Sequence, residues 1–197
     1  IIMSTGMASE TEIEEAVTAV RDAGCNQILL LHCISGYPTP IDQANIKQMQ
    51  NLAKRFNINV GLSDHTLGTI ASVAAVAQGA NLIEKHFTIS RQDKGPDSEF
   101  SLEPEDLKKL CIDTKDAWKS IGKKGFKRVK AEEGSKIFRR SIYFIKDLPE
   151  GHIIKERDIK IIRPGNGLAP KYFNQIVGKK TVKKVKRGQA ISFEDLK

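Results

Sequence analysis

Asn59-Val-Gly-Leu-Ser-Asp-His65-Thr66 and Ala80-Asn-Leu-Ile-Glu-Lys-His86-Phe87 each read as a short apolar strand that runs into a polar cluster ending near a histidine. The alanine-rich stretch 69–78 lies between them and reads as a helix. A strand, a helix and a second strand in this order form a parallel unit, and the carboxyl ends of its strands open onto one mouth, as in parallel α/β sheets and barrels. His65 and His86 therefore face a common space. Imidazole ligates divalent metals well, and two imidazoles with water or carboxylate oxygens leave positions open for a substrate. Two histidines hydrogen-bonded separately along a barrel rim fit the same spacing.

Working outward, the same alternation repeats. Ser9 with Glu12 forms a capping box before a helix over 10–23, with apolar Ile13, Ala16, Val17 and Val20 on one face and Gly24 after it. A strand over 27–32 leads to a loop with Ser35 and Tyr37, then a helix over 42–56 and a strand over 59–62. After the helix over 69–78 come a strand over 81–86, a polar loop containing Gly95-Pro-Asp97, and a helix over 104–121. The chain opens on Ile1-Ile-Met-Ser4, itself strand-like and without an initiator methionine, so the expectation is that a segment precedes it. Four β/α units are half of an eightfold barrel. An open doubly wound sheet is the alternative, but no GxGxxG or GxxxxGK[ST] phosphate fingerprint follows any strand.

Residues 122–138 are a charged, glycine-containing connection, and beyond them the periodicity shortens to strands and turns. Strands are expected at 141–145, 159–162, 171–176, 179–185 and 187–191, giving a mostly β module of about 60 residues, near the lower limit for independent folding. The expected organisation is 1–121 for the α/β part, 122–138 for the linker and 139–197 for the β module. The charge is split along the same line: residues 1–100 hold 7 Lys/Arg against 11 Asp/Glu, and residues 101–197 hold 25 against 13, within an overall +8.

Apolar residues make up 40% of the chain and charged residues 28%, the composition of a soluble globular protein. The 3 cysteines lack CxxC spacing, so neither a disulfide framework nor a zinc ribbon is indicated, and a cytoplasmic location is expected. No apolar run is long enough to cross a bilayer, so no membrane partner is expected. The lysine-rich stretch 178–187 has little aromatic interleaving and no nucleic-acid motif. No nucleic-acid partner is expected, and its field suits an anionic substrate.

Ser4-Thr-Gly-Met7, Leu31-His-Cys33, Tyr37-Pro-Thr-Pro40, Gly61-Leu-Ser-Asp-His-Thr-Leu-Gly68, Ile83-Glu-Lys-His-Phe87, Gly95-Pro-Asp97, Phe100-Ser-Leu-Glu-Pro104, Arg140-Ser141 and Arg163-Pro-Gly-Asn-Gly167 together resemble the sialic acid synthase family over essentially the whole chain. The resemblance implies an α/β fold: the second half of a TIM (β/α)8 barrel followed by a small, mostly-β antifreeze-like (SAF, β-clip) domain. It implies a synthase that condenses phosphoenolpyruvate with an open-chain N-acylated amino sugar into a nine-carbon 2-keto acid.

By the same resemblance, a divalent metal, manganese, sits on His65 and His86. Ser4, Ser35 and Ser63 bind phosphoenolpyruvate, Asp97 holds sugar hydroxyls and Tyr37 lines the sugar pocket. Glu84, on the same side of its strand as His86 by the period of two, binds a hydroxyl or supports the metal site. Arg163 reaches the N-acyl group from the other subunit of a domain-swapped homodimer. Asp64 is expected to brace its loop through backbone hydrogen bonds, and His32 and Cys33 to be buried strand residues.

The wording at 138–143 and 167–172 resembles pseudaminic acid synthases, which act on a 2,4-diacetamido-trideoxy-hexose. Leu31-His-Cys33 and Tyr37-Pro-Thr-Pro40 are equally at home in N-acetylneuraminate synthases. A non-catalytic carbohydrate-binding fragment is the remaining alternative, and the chain taken alone is expected to be inactive.

Overall fold

The computed structural model describes residues 1–197, which form two compact units, Ile1–Lys123 and Lys124–Lys197. The first contains β1 (Ile2–Ser4), α1 (Glu10–Asp22), β2 (Leu29–Cys33), α2 (Gln48–Phe56), β3 (Asn59–Asp64), α3 (Ile70–Ala77), β4 (Ile83–Lys85) and α4 (Pro104–Ser120). The strands form one parallel sheet in the order β1-β2-β3-β4. Spatial order follows chain order, and right-handed crossovers then put the connecting helices on a single face.

Local chemistry explains most boundaries. Ser9 Oγ accepts from Glu12 N–H at 3.3 Å while Glu12 accepts from Ser9 N–H at 2.7 Å, closing the capping box of α1. At its other end Arg21 donates to the carbonyl of Phe56 at 3.1 Å, placing a cation on the negative end of α2. The helix expected over 42–56 is divided. Ile41–Gln43 is a single 3₁₀ turn, Asn45 adopts φ +44°, and α2 proper begins at Gln48. A left-handed residue cannot continue a right-handed helical ladder, so Asn45 resets the chain direction. Asn57, at φ +52°, ends α2 in the same way.

Alternation along the strands sorts side chains onto two faces. Met3, Leu30 and Val60 lie in one register row, and His32, Leu62 and Ile83 in the next. These rows face the helices: Leu30, Val60 and Leu62 pack with Ile13, Met49, Leu52, Phe56 and Ala75 in the core. The third row on this side is Asp64 with Lys85, a buried ion pair of 3.0 Å with side chains only 1% and 4% exposed. Asp64 also accepts from Thr66 N–H (2.9 Å), Thr66 Oγ1 (2.8 Å) and Ser72 Oγ (2.5 Å), and Lys85 donates to the Thr66 carbonyl.

Ser4, Leu31 and Gly61 share a row on the opposite face, followed by Cys33, Ser63 and Glu84. Gly61 permits close packing here: a Cβ would fall 2.3 Å from the Leu82 carbonyl and 2.6 Å from Leu31.

The second unit pairs β5 (Ser141–Phe144) with β6 (Ile159–Ile162) antiparallel. Isolated bridges extend the pairing at Tyr143–Ala190, Leu148–Val185, Ile153–Lys180 and Thr181–Leu196. Its core is built from Ile142, Phe144, Leu148, Ile154, Ile159, Ile176, Val185 and Ile191. The strand expected over 171–176 is instead a 3₁₀ turn, Pro170–Tyr172, leading into α5 (Phe173–Ile176). Pro170 has no N–H to give a ladder and is preset for a first helical turn. The expected strands over 179–185 and 187–191 survive only as the bridges at Lys180, Thr181, Val185 and Ala190. Part of the connection 122–138 folds with this unit, since Gly165 N–H donates to the Ile137 carbonyl at 2.9 Å. No helix in the chain is long and apolar enough to cross a membrane.

His152 has no obvious partner in the sequence; in the fold its Nε2 lies 2.9 Å from buried Asp158. Burial alone would raise the Asp158 pKa. Hydrogen bonds from His152, the Lys155 N–H and Lys146, with the charge of Lys146, outweigh it and bring the pKa down to about 2. A carboxyl held below its unfolded value of about 3.9 stabilises the fold above that pH, and the stabilisation disappears as pH falls through the folded pKa. We expect a loss on the order of 2 kcal/mol between about pH 4 and pH 2. Urea unfolding across this range reads it, and an Asp158→Asn variant with an unchanged pH slope would contradict the assignment.

Candidate active site

The carboxyl ends of β3 and β4 carry the site. His65 follows Asp64 and His86 follows Lys85, so both histidines have the strand parity of Ser63 and Glu84 and sit on the sheet face away from the helices. Their rings are 5.1 Å apart, centre to centre, and nearly perpendicular at 71°. The His65 ring is held from behind: Nδ1 donates to the Ile34 carbonyl at 2.9 Å, which fixes the tautomer and leaves the Nε2 lone pair free. His86 Nδ1 lies 3.4 Å from an Asp97 carboxylate oxygen, which engages that nitrogen and leaves Nε2 to other partners.

Two loops complete the mouth. Thr39 donates its N–H to the His65 carbonyl at 2.9 Å and its hydroxyl to the carbonyls of Ile34 and Gly36. That clasp sets the Tyr37 ring 4.3 Å from His65 and 5.7 Å from His86. On the other side Leu102 N–H donates to the His86 carbonyl at 2.9 Å, and Thr88 N–H to the Leu102 carbonyl at 2.9 Å. Ser101 Oγ donates to the Asp97 carbonyl at 2.6 Å. The loop so tied places Asp97 on one flank of His86 and the Phe100 ring on another, 5.2 Å away. A hollow of about 250 Å³ bounded by His86, Thr88, Pro96, Asp97 and Ser101 adjoins this flank.

Other residues singled out in the sequence are arranged less tightly. Ser63, buried, donates to Glu84 at 2.7 Å across β3 and β4. Ser35 touches the loop after β1, where a Cβ on Gly6 would lie 2.3 Å from Ser35 Oγ and 3.0 Å from Cys33 Sγ, so the two loops meet closely here. Ser4 is exposed at the end of β1, in the register row of Leu31 and Gly61. Arg163 is exposed on the loop after β6, in the second unit. His32 points to the helix side, its Nε2 on the Ala44 carbonyl at 3.0 Å, and burial lowers its pKa. Phe100 and Lys85 were not singled out from the sequence. An aromatic within a polar loop, and a lysine at an inward position of a strand, are the signals that mark them.

The histidine pair suits a divalent ion. With a metal–nitrogen distance of about 2.1 Å and roughly 1.1 Å more to each ring centre, two imidazoles at roughly 90–110° around one ion have centres about 4.5–5.2 Å apart. The observed 5.1 Å falls in that range. No set of three or more His, Cys, Asp or Glu is gathered for a metal, so an ion held here would have only the two imidazoles from this chain.

The sequence profile of the NeuB family matches residues 1–126, and that of the SAF domain matches residues 139–197. The chain belongs to the NeuB family. It is 41% identical over 194 residues to an N,N'-diacetyllegionaminic acid synthase of Campylobacter jejuni, covering 97% of this chain and 58% of that protein. It is 36% identical over 197 residues to a pseudaminic acid synthase of Helicobacter pylori, covering 100% and 58%. Among solved structures, the N-acetylneuraminic acid synthetase of Leptospira borgpetersenii, crystallised with citrate, superposes with a TM-score of 0.63 at 37% identity, over 70% of this chain and 48% of that one. This NeuB-family chain thus spans a little over half the length of the relatives it matches. Both histidines and the two loops around them lie within the matched NeuB region.

Proposed function

We propose that the chain is the C-terminal part of a phosphoenolpyruvate-dependent sugar-acid synthase: the second half of a (β/α)8 barrel followed by an SAF domain. The barrel reading is supported by the unreversed strand order, with helices on one face, and by the unpaired edges of β1 and β4. A groove of about 680 Å³ between β4 and α4, lined by Leu82, Leu107, Leu110 and Trp118, is where a closing strand and helix would pack.

The observation that carries the function is the pair of histidine rings 5.1 Å apart at the carboxyl ends of neighbouring parallel strands, with the Asp97 carboxylate and the rings of Tyr37 and Phe100 beside them. His65 and His86 would hold the divalent metal, manganese, which when bound polarises the sugar aldehyde as a Lewis acid. The remaining chemistry is positioning and charge stabilisation. Ser35 and Ser4, with Ser63 once its hydroxyl turns away from Glu84, would donate hydrogen bonds to the carboxylate or phosphate of phosphoenolpyruvate. Asp97 and Glu84 accept from sugar hydroxyls, and Tyr37 packs on the carbon skeleton. The carbon–carbon bond forms between C3 of phosphoenolpyruvate and the carbonyl carbon, water adds at C2, and phosphate leaves by C–O cleavage. Negative charge moves during these steps, which favours fixed donors over any single nucleophile.

The amino sugar we propose is a 2,4-diacetamido-trideoxy-hexose leading to pseudaminic acid, with an N-acetylhexosamine leading to N-acetylneuraminate as the alternative. Arg163 would contact the N-acyl group across a domain-swapped homodimer, where a planar guanidinium presents donors that lysine lacks.

Phosphate release from phosphoenolpyruvate by the complete protein, with manganese and each sugar in turn, tests the function. Release that requires both the sugar and the metal, with a nine-carbon keto acid as product, is expected. A folded protein that releases no phosphate with any amino sugar would end the reading. The 197-residue chain by itself is expected to be inactive until the complementary N-terminal half is added.

A further inference from the structure

The geometry points to Phe100 as a specificity-determining residue: with Tyr37 it forms an apolar wall beside the histidine pair that accepts a methyl-bearing amino sugar in preference to a hydroxyl-bearing one. The inference rests on the function proposed above and names the kind of sugar that site selects.

Phe100 lies 5.2 Å from His86 and 5.9 Å from Tyr37, so Tyr37, His65, His86 and Phe100 make a box of four rings. Neither aromatic belongs to a buried core cluster. Tyr37 is 54% exposed and Phe100 half-buried, although the loop carrying Phe100 is held by the Leu102 N–H on the His86 carbonyl, the Thr88 N–H on the Leu102 carbonyl and Ser101 Oγ on the Asp97 carbonyl. Large apolar rings held rigidly at a polar mouth, outside the core, mark a ligand surface.

His86 has both a polar and an apolar neighbour. Asp97 brings a carboxylate oxygen 3.4 Å from its Nδ1, and Ser63 with Glu84 adds further polar atoms on the sheet face of the histidines. The Phe100 ring, 5.2 Å from the His86 ring, offers no hydrogen-bond partner. A hydroxyl pressed against it loses its water uncompensated, whereas a methyl gains contact. A sugar that carries acetamido methyls and a deoxygenated carbon suits this wall better than one bearing hydroxyls at those positions.

The test uses the complete protein, with Phe100→Ser and the apolar replacement Phe100→Leu. Each is assayed with a 2,4-diacetamido-trideoxy-hexose and with an N-acetylhexosamine. One apolar group in a pocket is worth about 10-fold or more in kcat/KM. We expect Phe100→Ser to lower kcat/KM for the diacetamido sugar by at least about 10-fold, with little change for the N-acetylhexosamine or in the KM of phosphoenolpyruvate. Phe100→Leu should retain most of the preference. Saturation-transfer NMR provides a readout independent of turnover: irradiating aromatic protons should mark the sugar's methyl signals in the wild type and not in Phe100→Ser. Equal losses for both sugars, or no loss, would overturn the role of Phe100 while leaving the synthase reading intact. A wild type that turns over neither sugar would sink the synthase reading, and the specificity inference with it.

Discussion

Alanine at His65 or at His86 in the complete protein is expected to lower turnover by about a thousand-fold or more, because Lewis-acid assistance is worth several kcal/mol of barrier. The two rings stand 5.1 Å apart, and a single imidazole cannot hold a metal against bulk water as strongly as the pair would. Manganese binding, followed by electron paramagnetic resonance, should weaken in parallel. The two variants differ in what they do to the fold. His86 is about one-third exposed and its replacement should leave the thermal midpoint nearly unchanged, whereas His65 is buried and tied to the Ile34 carbonyl, so its replacement also loosens the loop that carries Tyr37. Retention of a tenth of wild-type activity by His86→Ala would rule out a shared ion on this pair.

Replacing Lys85 by methionine is expected to destabilise the first unit by about 3–5 kcal/mol, the cost of leaving a buried charge without its partner. Asp64 would keep its bonds from Thr66 and Ser72 but lose the only cation within salt-bridge distance. The double replacement Asp64→Leu with Lys85→Met should recover only part of the loss: it removes the unpaired charge, but leaves the Thr66 N–H and the buried hydroxyls of Thr66 and Ser72 without their acceptor. Urea denaturation of the chain gives both values. A single replacement costing less than about 1 kcal/mol would mean that the pair is hydrated and contributes little.

Most of the first unit was legible because its signals are local. Ser9 and Glu12 declare the start of α1, the alanine run 69–78 declares α3, and Pro104 with its acidic neighbours opens α4. The division of α2 was not legible, because a left-handed Asn45 is one of several conformations asparagine adopts, and tertiary context selects it. In the second unit, short mixed stretches such as 171–176 satisfy strand and helix patterns alike, and the turn at Pro170 decides between them.

The candidate site divides in the same way. His65, His86, Ser63 and Glu84 follow from strand parity, which sequence displays directly. Phe100 depends on a loop folded back onto His86 through Leu102 and Thr88, and no spacing rule predicts that contact. The Asp64–Lys85 pair joins residues far apart in the chain, and only the register of β3 against β4 reveals it.

That register makes the site a matter of counting. Residues 63, 65, 84 and 86 face the mouth and residues 64 and 85 face the helices because the strands alternate without interruption. Exchange of one side chain alters one group. Loss or gain of a single codon within β3 would instead turn the whole strand over, bringing Asp64 to the mouth and His65 into the helix packing. A substitution is therefore felt at one position, and a change of length in the loop 88–101 leaves the strand register untouched. In-frame insertions and deletions inside β3 and β4 should be purged, leaving strand length in this lineage far more constant than strand composition.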